Sequence, residues 1–358
     1  MAGSGKPPPD WSYGLPSVDT DEGLVSDSGF VNQDFVGWVY TVHHLNAVED
    51  LKRVPSPDRR DWHIVERLRS SPGSVSGELL ASELGMSRAA LWKRVESLKA
   101  WGYGIEATRK GYTIGVDDGL AGWEFDAPGP VVLYPNVGST MDEARALAEG
   151  GAQSGAAVLA LAQSAGRGRS GGSWESPAGG LYLSFVVRSP LPPSHAGALS
   201  LEATSATLTA LEAAGAAGVG FRWPNDIIAY VCGEAPRKAG GVLVEAYGDI
   251  AAADFYVVGV GLNVPPGLLA AGIRRADLAA AIVSAVVSWS ASPNLDPARW
   301  LRLVPPAGTC LSVTLWNEEI RAFEPSGFNE RGDLVSAGSG RVLSIGECRI
   351  VVPEGVPA

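Results

Sequence analysis

Cysteine is scarce in this chain of 358 residues. Cys232, Cys310 and Cys348 are odd in number and form no Cys-x-x-Cys, so neither a disulfide framework nor a zinc site is indicated. Histidine is nearly as rare, and His43, His44, His63 and His195 fall outside the four chemistry-bearing clusters described below. No Ser-His-Asp set stands out, which argues against imidazole acid–base catalysis. Basic charge is in deficit: 28 Lys and Arg face 39 Asp and Glu, for a net charge of −11. That excludes a protein coating nucleic acid with its whole surface, but not a small DNA-reading module. The longest uncharged apolar stretch, Leu278–Ser292, is short of the roughly 18 residues of a membrane span. The opening residues hold one lysine, several prolines and no apolar core, so no signal peptide is expected and the chain reads as soluble and cytoplasmic.

What is present is globular composition, 46% hydrophobic and 19% charged, over a length that calls for two or three domains. The 45 glycines and 25 prolines make it loop-rich without low complexity. Charge is unevenly spread. Residues 61–115 carry 8 basic and 6 acidic side chains, the one positive segment; residues 1–60 carry 5 and 9, and the remainder 15 and 24. Residues 1–60 lack sustained periodicity and are broken by prolines. They read as a poorly ordered leader, with a short element in Phe35–Leu45, or as a misassigned start.

From Asp61 the pattern turns helical. Trp62, Ile64, Val65 and Leu68 share one face, stopped by Ser71-Pro72-Gly73. Ser76 caps a second helix with Leu79, Leu80 and Leu84 inward, ending at Gly85. Ser87 caps a third, with Ala90, Leu91, Val95, Leu98 and Trp101 at helical spacing before Gly102. A hairpin follows, Tyr103–Ala107 and Gly111–Gly115. The expectation is a winged helix-turn-helix over 61–115, whose Ser87, Arg88, Lys93 and Arg94, with Lys110 of the wing, would face DNA. A plain three-helix module for protein contacts is the alternative.

After a linker near 116–129, strand signals at Val131–Tyr134, Ala157–Ala162, Leu181–Val187, Val219–Trp223, Gly240–Glu245 and Phe255–Leu262 accompany helices opening at Ser139 and spanning Leu199–Ala214. Strands following one another without helices between them indicate α+β, a central mixed sheet backed by helices, over residues 128–304. Five short strands after Val304 suggest a small barrel over 305–358.

Four clusters carry chemistry. Gln163–Trp174 holds Gly166, Arg167, Gly168 and Arg169, glycines that let backbone wrap a ligand and arginines that supply forked donors for phosphate or carboxylate. A linker or an RGG-type RNA contact is the bland reading. Arg222-Trp223-Pro224-Asn225-Asp226 places an amide and a carboxylate after a strand; Asp226 is a candidate Mg²⁺ ligand, or the pair is a self-capping Asx turn. Arg237-Lys238-Ala239-Gly240-Gly241 sends a lysine into a buried strand, to neutralise phosphoryl charge or as a solvated flanking cation. Gly259-Val260-Gly261-Leu262-Asn263 permits close backbone approach, though a lone Gly-x-Gly is a weak signal.

In this order the clusters resemble the biotin protein ligases, specifically the bifunctional kind that also represses the biotin operon. The resemblance rests on Gln163–Trp174, Trp223–Asp226, Arg237–Gly241, Gly259–Asn263 and Ser139-Thr140, and in the helix-turn-helix on Leu84–Ala90 and Lys110-Gly111-Tyr112. It spans about 61–352. It implies the class II aminoacyl-tRNA synthetase-like biotin ligase fold and an SH3-like barrel. It also implies activation of biotin by MgATP to biotinyl-5′-adenylate, and transfer to a lysine of a biotin carboxyl carrier protein. The implied roles are these: Ser139, Thr140 and Gln163, with Gly166, Arg167, Lys238, Gly240 and Gly241, bind biotin. Arg167, Gly168, Arg169, Trp174, Asn225 and Asn263 bind the adenylate or ATP, Lys238, Arg167, Arg169 and Asp226 are catalytic, and Asp226 meets Mg²⁺. No bound prosthetic group is implied; a homodimer and operator DNA are. The family's Lys, Arg and acidic residue are replaced by Arg222, Ser170 and Gly138, and the helical stretch after Asn263 reads as short. A lipoate-type ligase, or a ligand-sensing transcription factor without ligase activity, are the competing readings.

Overall fold

A computed structural model describes residues 39–40, 57–115, 117–230, 235–263, 274–336 and 338–353. Most of the expected leader lies outside the described residues. Within it, β1 (Val39–Tyr40) pairs in parallel with Val131–Val132.

The helical module follows its caps. α1 (Arg59–Arg69) starts two residues before Asp61, where the pattern turns helical, because Asp58 is the N-cap; the two aspartates form a capping box. α2 (Gly77–Glu83) and α3 (Arg88–Ala100) are capped by Ser76 and Ser87 as the sequence indicates. Ile64, Leu80, Leu91, Val95, Leu98 and Trp101 close the core. Leu79, expected inward, is 46% exposed. The wing is β2 (Ile105–Thr108) and β3 (Gly111–Ile114), turned where Gly111 has φ +132° and a Cβ would lie 2.0 Å from the Val75 carbonyl oxygen.

The linker is firmly held. Asp118 accepts from the Arg275 backbone amide at 2.6 Å and from its guanidinium. Glu124 accepts from Tyr103 Oη at 2.8 Å and pairs with Arg69 at 3.0 Å and with Arg274.

The central mixed sheet is built from β4 (Val131–Tyr134), β5 (Ala157–Ala160), β6 (Leu181–Val187), β7 (Val219–Arg222), β8 (Asp226–Ala229), β9 (Arg237–Gly248) and β10 (Ala253–Leu262), with α4 (Thr140–Glu149), α5 (Ala196–Ala213) and α6 (Arg275–Ala291). Strand order is β1-β4-β5-β6-β10-β9-β8-β7, parallel from β1 to β5 and antiparallel beyond. β8 was not legible as a strand, and the helix after Asn263, expected short, has 17 residues. Side chains alternate across the sheet. Leu133, Leu159, Leu183, Tyr256 and Val258 belong to the larger core on one face, while Val132, Val158, Val186 and Val257 join Met141, Ala144 and Ala148 of α4 on the other.

The C-terminal region forms two three-stranded sheets rather than one continuous barrel sheet. β11 (Leu311–Leu315) pairs with β12 (Ile320–Phe323) and β16 (Cys348–Pro353), while β14 (Leu334–Ser336) pairs with β13 (Pro325–Phe328) and β15 (Val342–Leu343). Among the described residues no helix is long and apolar enough to cross a membrane.

Candidate ligand-binding site

Strand parity explains where the cavity lies. Gly259 and Gly261 of β10 are two apart, so both face α4, opposite Ser184 and Tyr182 of β6 and Leu243 and Gly241 of β9. A Cβ on Gly259 would sit 2.5 Å from Met141 Sδ, and one on Gly261 2.6 Å from Trp174 Nε1. The glycines therefore clear the sheet surface where Met141 and Trp174 must fit. Around that clearing lies a cavity of about 390 Å³.

It gathers Ser139, Thr140, Gln163, Arg167, Gly168, Arg169, Trp174, Asn225, Asp226, Lys238 and Gly241 from four separate stretches of sequence. Gly166, Gly240 and Asn263 do not line it. Gly166 and Gly240 are needed for close contact instead: a Cβ would lie 2.6 Å from the Trp174 carbonyl oxygen in one case and 2.5 Å from Leu262 Cδ2 in the other. Asn263 accepts from Tyr182 Oη at 2.6 Å and donates to the Glu175 carbonyl at 2.8 Å, pinning the end of the loop.

One wall is an uncharged hydrogen-bonding cluster. Gln163 Oε1 accepts from the Thr140 amide at 2.8 Å and from Thr140 Oγ1 at 3.0 Å, and Gln163 Nε2 donates to Ser176 Oγ at 2.8 Å. Thr140 Oγ1 also lies 2.7 Å from Ser184 Oγ. Ser139, at the N-cap of α4, accepts from Met141 N at 3.3 Å. Ser184 was missed in the sequence, although a lone serine in the apolar run Leu181–Val187 signals a hydroxyl with a task.

The cations of the cavity each have an internal partner. Arg167 pairs with Asp142 of α4 and, at 3.3 Å, with Glu245 of β9. Glu245 in turn accepts from Tyr247 Oη at 2.6 Å; burial and this hydrogen bond push the Tyr247 phenol up to about 12. Arg169 donates to the carbonyls of Ile345 at 2.7 Å and Cys348 at 3.1 Å, tying the loop to the C-terminal sheets, and burial pulls its guanidinium below the ordinary value. Lys238 Nζ lies 2.6 Å from Asp226 Oδ1 and 5.1 Å from the Trp174 ring centroid. Asp226 Oδ2 takes Arg222 at 2.7 Å, and Asn225 Nδ2 is spent on the Val242 carbonyl at 2.8 Å. Trp174 Nε1 is buried without a partner among the described residues. Ser170, at the loop apex, adopts the left-handed region with φ +56°.

Asp142, Glu245 and Tyr247 were also missed. Glu245 shares strand parity with Gly241 and Leu243, but nothing in the sequence says that Arg167 reaches it. As a Mg²⁺ ligand Asp226 fits poorly, since both its oxygens are held by cations, and no cluster of three metal-ligating side chains occurs among the described residues.

In the helical module the candidate residues separate. Arg88, Lys93 and Lys110 are exposed and Ser87 is occupied as a cap. Arg94 is a correction: it lies three residues after buried Leu91, beside the core, and pairs with Asp58 at 2.8 Å and Asp61 at 3.0 Å instead of facing outward.

Residues 135–263 match the model of the Biotin/lipoate A/B protein ligase family, and residues 60–113 that of an HTH domain. A bifunctional ligase/repressor BirA of Bacillus spizizenii is 34% identical over 209 residues, 55% of this chain and 63% of that protein. A biotin--[acetyl-CoA-carboxylase] ligase of Paracoccus denitrificans is 34% identical over 172 residues, 47% of this chain and 67% of that protein. A solved biotin protein ligase from Aquifex aeolicus in complex with biotin and ATP is 22% identical, covering 62% of this chain and 98% of that one at a TM-score of 0.47. The chain spans about six tenths of the length of the bifunctional relative.

Proposed function

The chain belongs to the biotin/lipoate A/B protein ligase family, and on that premise we propose that it is a biotin protein ligase that also represses transcription. The observation that carries the substrate is the pairing, around one cavity, of an uncharged hydrogen-bonding cluster (Thr140, Gln163, Ser184) with the cations Arg167, Arg169 and Lys238. That set suits an acid whose other end is a neutral donor and acceptor, as the ureido ring of biotin is. Lipoate carries no hydrogen-bonding head, and its apolar dithiolane ring would gain nothing from this polar wall.

In the first step a biotin carboxylate oxygen bonds to the α-phosphorus of ATP and pyrophosphate leaves. In the second a carrier-protein lysine attacks the acyl carbon, AMP leaves with its electron pair, and the amine proton passes to solvent. Ser139, Thr140 and Gln163 would meet the ureido group, Arg167 and Arg169 the carboxylate and phosphates, and Lys238 the charge developing at phosphorus, released from Asp226 as the ligand enters. Trp174 would pack on the adenylate. Mg²⁺ belongs in this reading as the companion of the ATP phosphates, with Asp226 serving as the counter-ion of Lys238.

The module at 61–115 would bind operator DNA, with dimerisation driven by the adenylate, in the cytoplasm. The region 128–304 would be the catalytic domain, and the two C-terminal sheets, over 305–358, would together form an SH3-like barrel. Biotin-dependent exchange of pyrophosphate into ATP by the folded chain, unaffected by lipoate, is the expected result; absence of exchange overturns the ligase. A DNA mobility shift strengthened by biotin plus ATP is expected for the repressor, and a shift indifferent to both overturns it.

A further inference from the structure

The eight cations of residues 61–115 divide sharply. Arg67, Arg69, Arg94 and Lys99 are ion-paired, whereas Arg88, Lys93, Arg109 and Lys110 have no ion pair among the described residues. The unpaired four lie on α3 and the wing turn. Arg88 of α3 and Arg109 and Lys110 of the turn line one cleft of about 200 Å³, shared with a single carboxylate, Glu78. Beside them, one helical turn after Arg88, stands Trp92, 55% exposed, while Trp101 at the end of the same helix is 1% exposed. The outward face of α3 is therefore Arg88, Ala89, Trp92, Lys93 and Glu96, an indole among cations.

We propose that Trp92 is the base-reading residue of the DNA surface, and that Arg88, Arg109 and Lys110 form a seat for a backbone phosphate beside it. The assignment rests on the DNA-binding reading of this module. The chemistry of this face favours duplex DNA: unpaired cations complement phosphates and supply affinity without sequence information. A large apolar ring on a helix of groove-filling width meets thymine methyls and base edges and supplies discrimination. A tryptophan 55% exposed in the middle of a cationic face has no packing task among the described residues, and exposed aromatics of this kind mark interfaces.

The test uses the full chain with biotin and ATP, a fluorescent duplex that the chain itself enriches from a random-sequence pool, and calf-thymus DNA as the unselected probe. Trp92→Ala should weaken binding to the enriched duplex roughly tenfold while leaving calf-thymus binding, the salt slope and pyrophosphate exchange unchanged; Trp92→Phe should recover part of the loss. Arg109→Ala should weaken both probes alike and lower the salt slope by about one. Trp92→Ala with the full preference for the enriched duplex overturns the assignment while the DNA reading stands. A wild-type chain that enriches nothing and does not bind calf-thymus DNA overturns both.

Discussion

The helical module and the cavity treat positive charge in opposite ways. On α3 and the wing, Arg88, Lys93, Arg109 and Lys110 have no ion pair among the described residues and face water that solvates them at no cost. In the cavity, Arg167 is held by Asp142 and Glu245, Arg169 by two carbonyls of the C-terminal sheets, and Lys238 by Asp226 and the Trp174 face. A partly desolvated cation needs a partner where an exposed one does not. An anion approaching the first surface adds to it; an anion entering the second must exchange partners. The cavity is thus neutralised from within until an anion enters it.

Removing the cation at the centre of the cavity tests this most severely. Lys238→Ala should leave biotin binding in calorimetry intact but slow pyrophosphate exchange on the order of a hundredfold or more. Near-normal exchange would mean that the Asp226–Lys238 pair is only structural. Gly261→Ala should come next. Its methyl displaces the Trp174 indole and should weaken biotin binding about tenfold, with thermal stability little changed; unaltered binding would show that the clearing is not part of the ligand site.

A smaller change is expected for Glu245→Gln, which keeps an acceptor for Tyr247 but removes one counter-charge from Arg167. Biotin should bind a few-fold tighter, the modest size reflecting a half-exposed pair. Weaker binding would make Glu245 a support for Arg167 and not a competitor with its ligand.

The last test lies in the helical module, at its internally paired exception. Burial lifts the Asp61 carboxyl to about 6, against the opposing pull of the Asp58 amide and Arg94. Its folded value exceeds the unfolded value of about 3.9, so folding takes up a proton there. The stability this contributes is complete below about pH 3.9 and is lost as pH rises through 6. Asp61→Asn should flatten the stability curve between those limits by about 3 kcal/mol, read by thermal melts across pH; an unchanged slope would show that Asp61 does not titrate there.

Local features were legible in the residues: the caps Ser76, Ser87 and Ser139, the positive-φ Gly85 and Gly102 ending helices, and the strands Val131–Tyr134 and Leu181–Val187. The motif loops were also located, and the cavity gathers most of them. Less legible were β8, hidden because Asp226 reads as a turn residue, and the outward Leu79, whose side chain lies beyond the edge of the apolar stripe. Asn263 was assigned to the ligand by motif, but it holds the loop end.

By itself the sequence determined which backbone would turn, cap or flatten, and which two glycines would clear one side of a strand, because those properties depend on neighbours a few residues away. Only the tertiary structure decided which charges are satisfied. Arg94 meets Asp58 across 36 residues, Arg167 meets Glu245 across 78, and Arg169 reaches the Cys348 carbonyl across 179. Such pairings follow from which strands and helices become adjacent, and adjacency is set by the packing of the whole sheet.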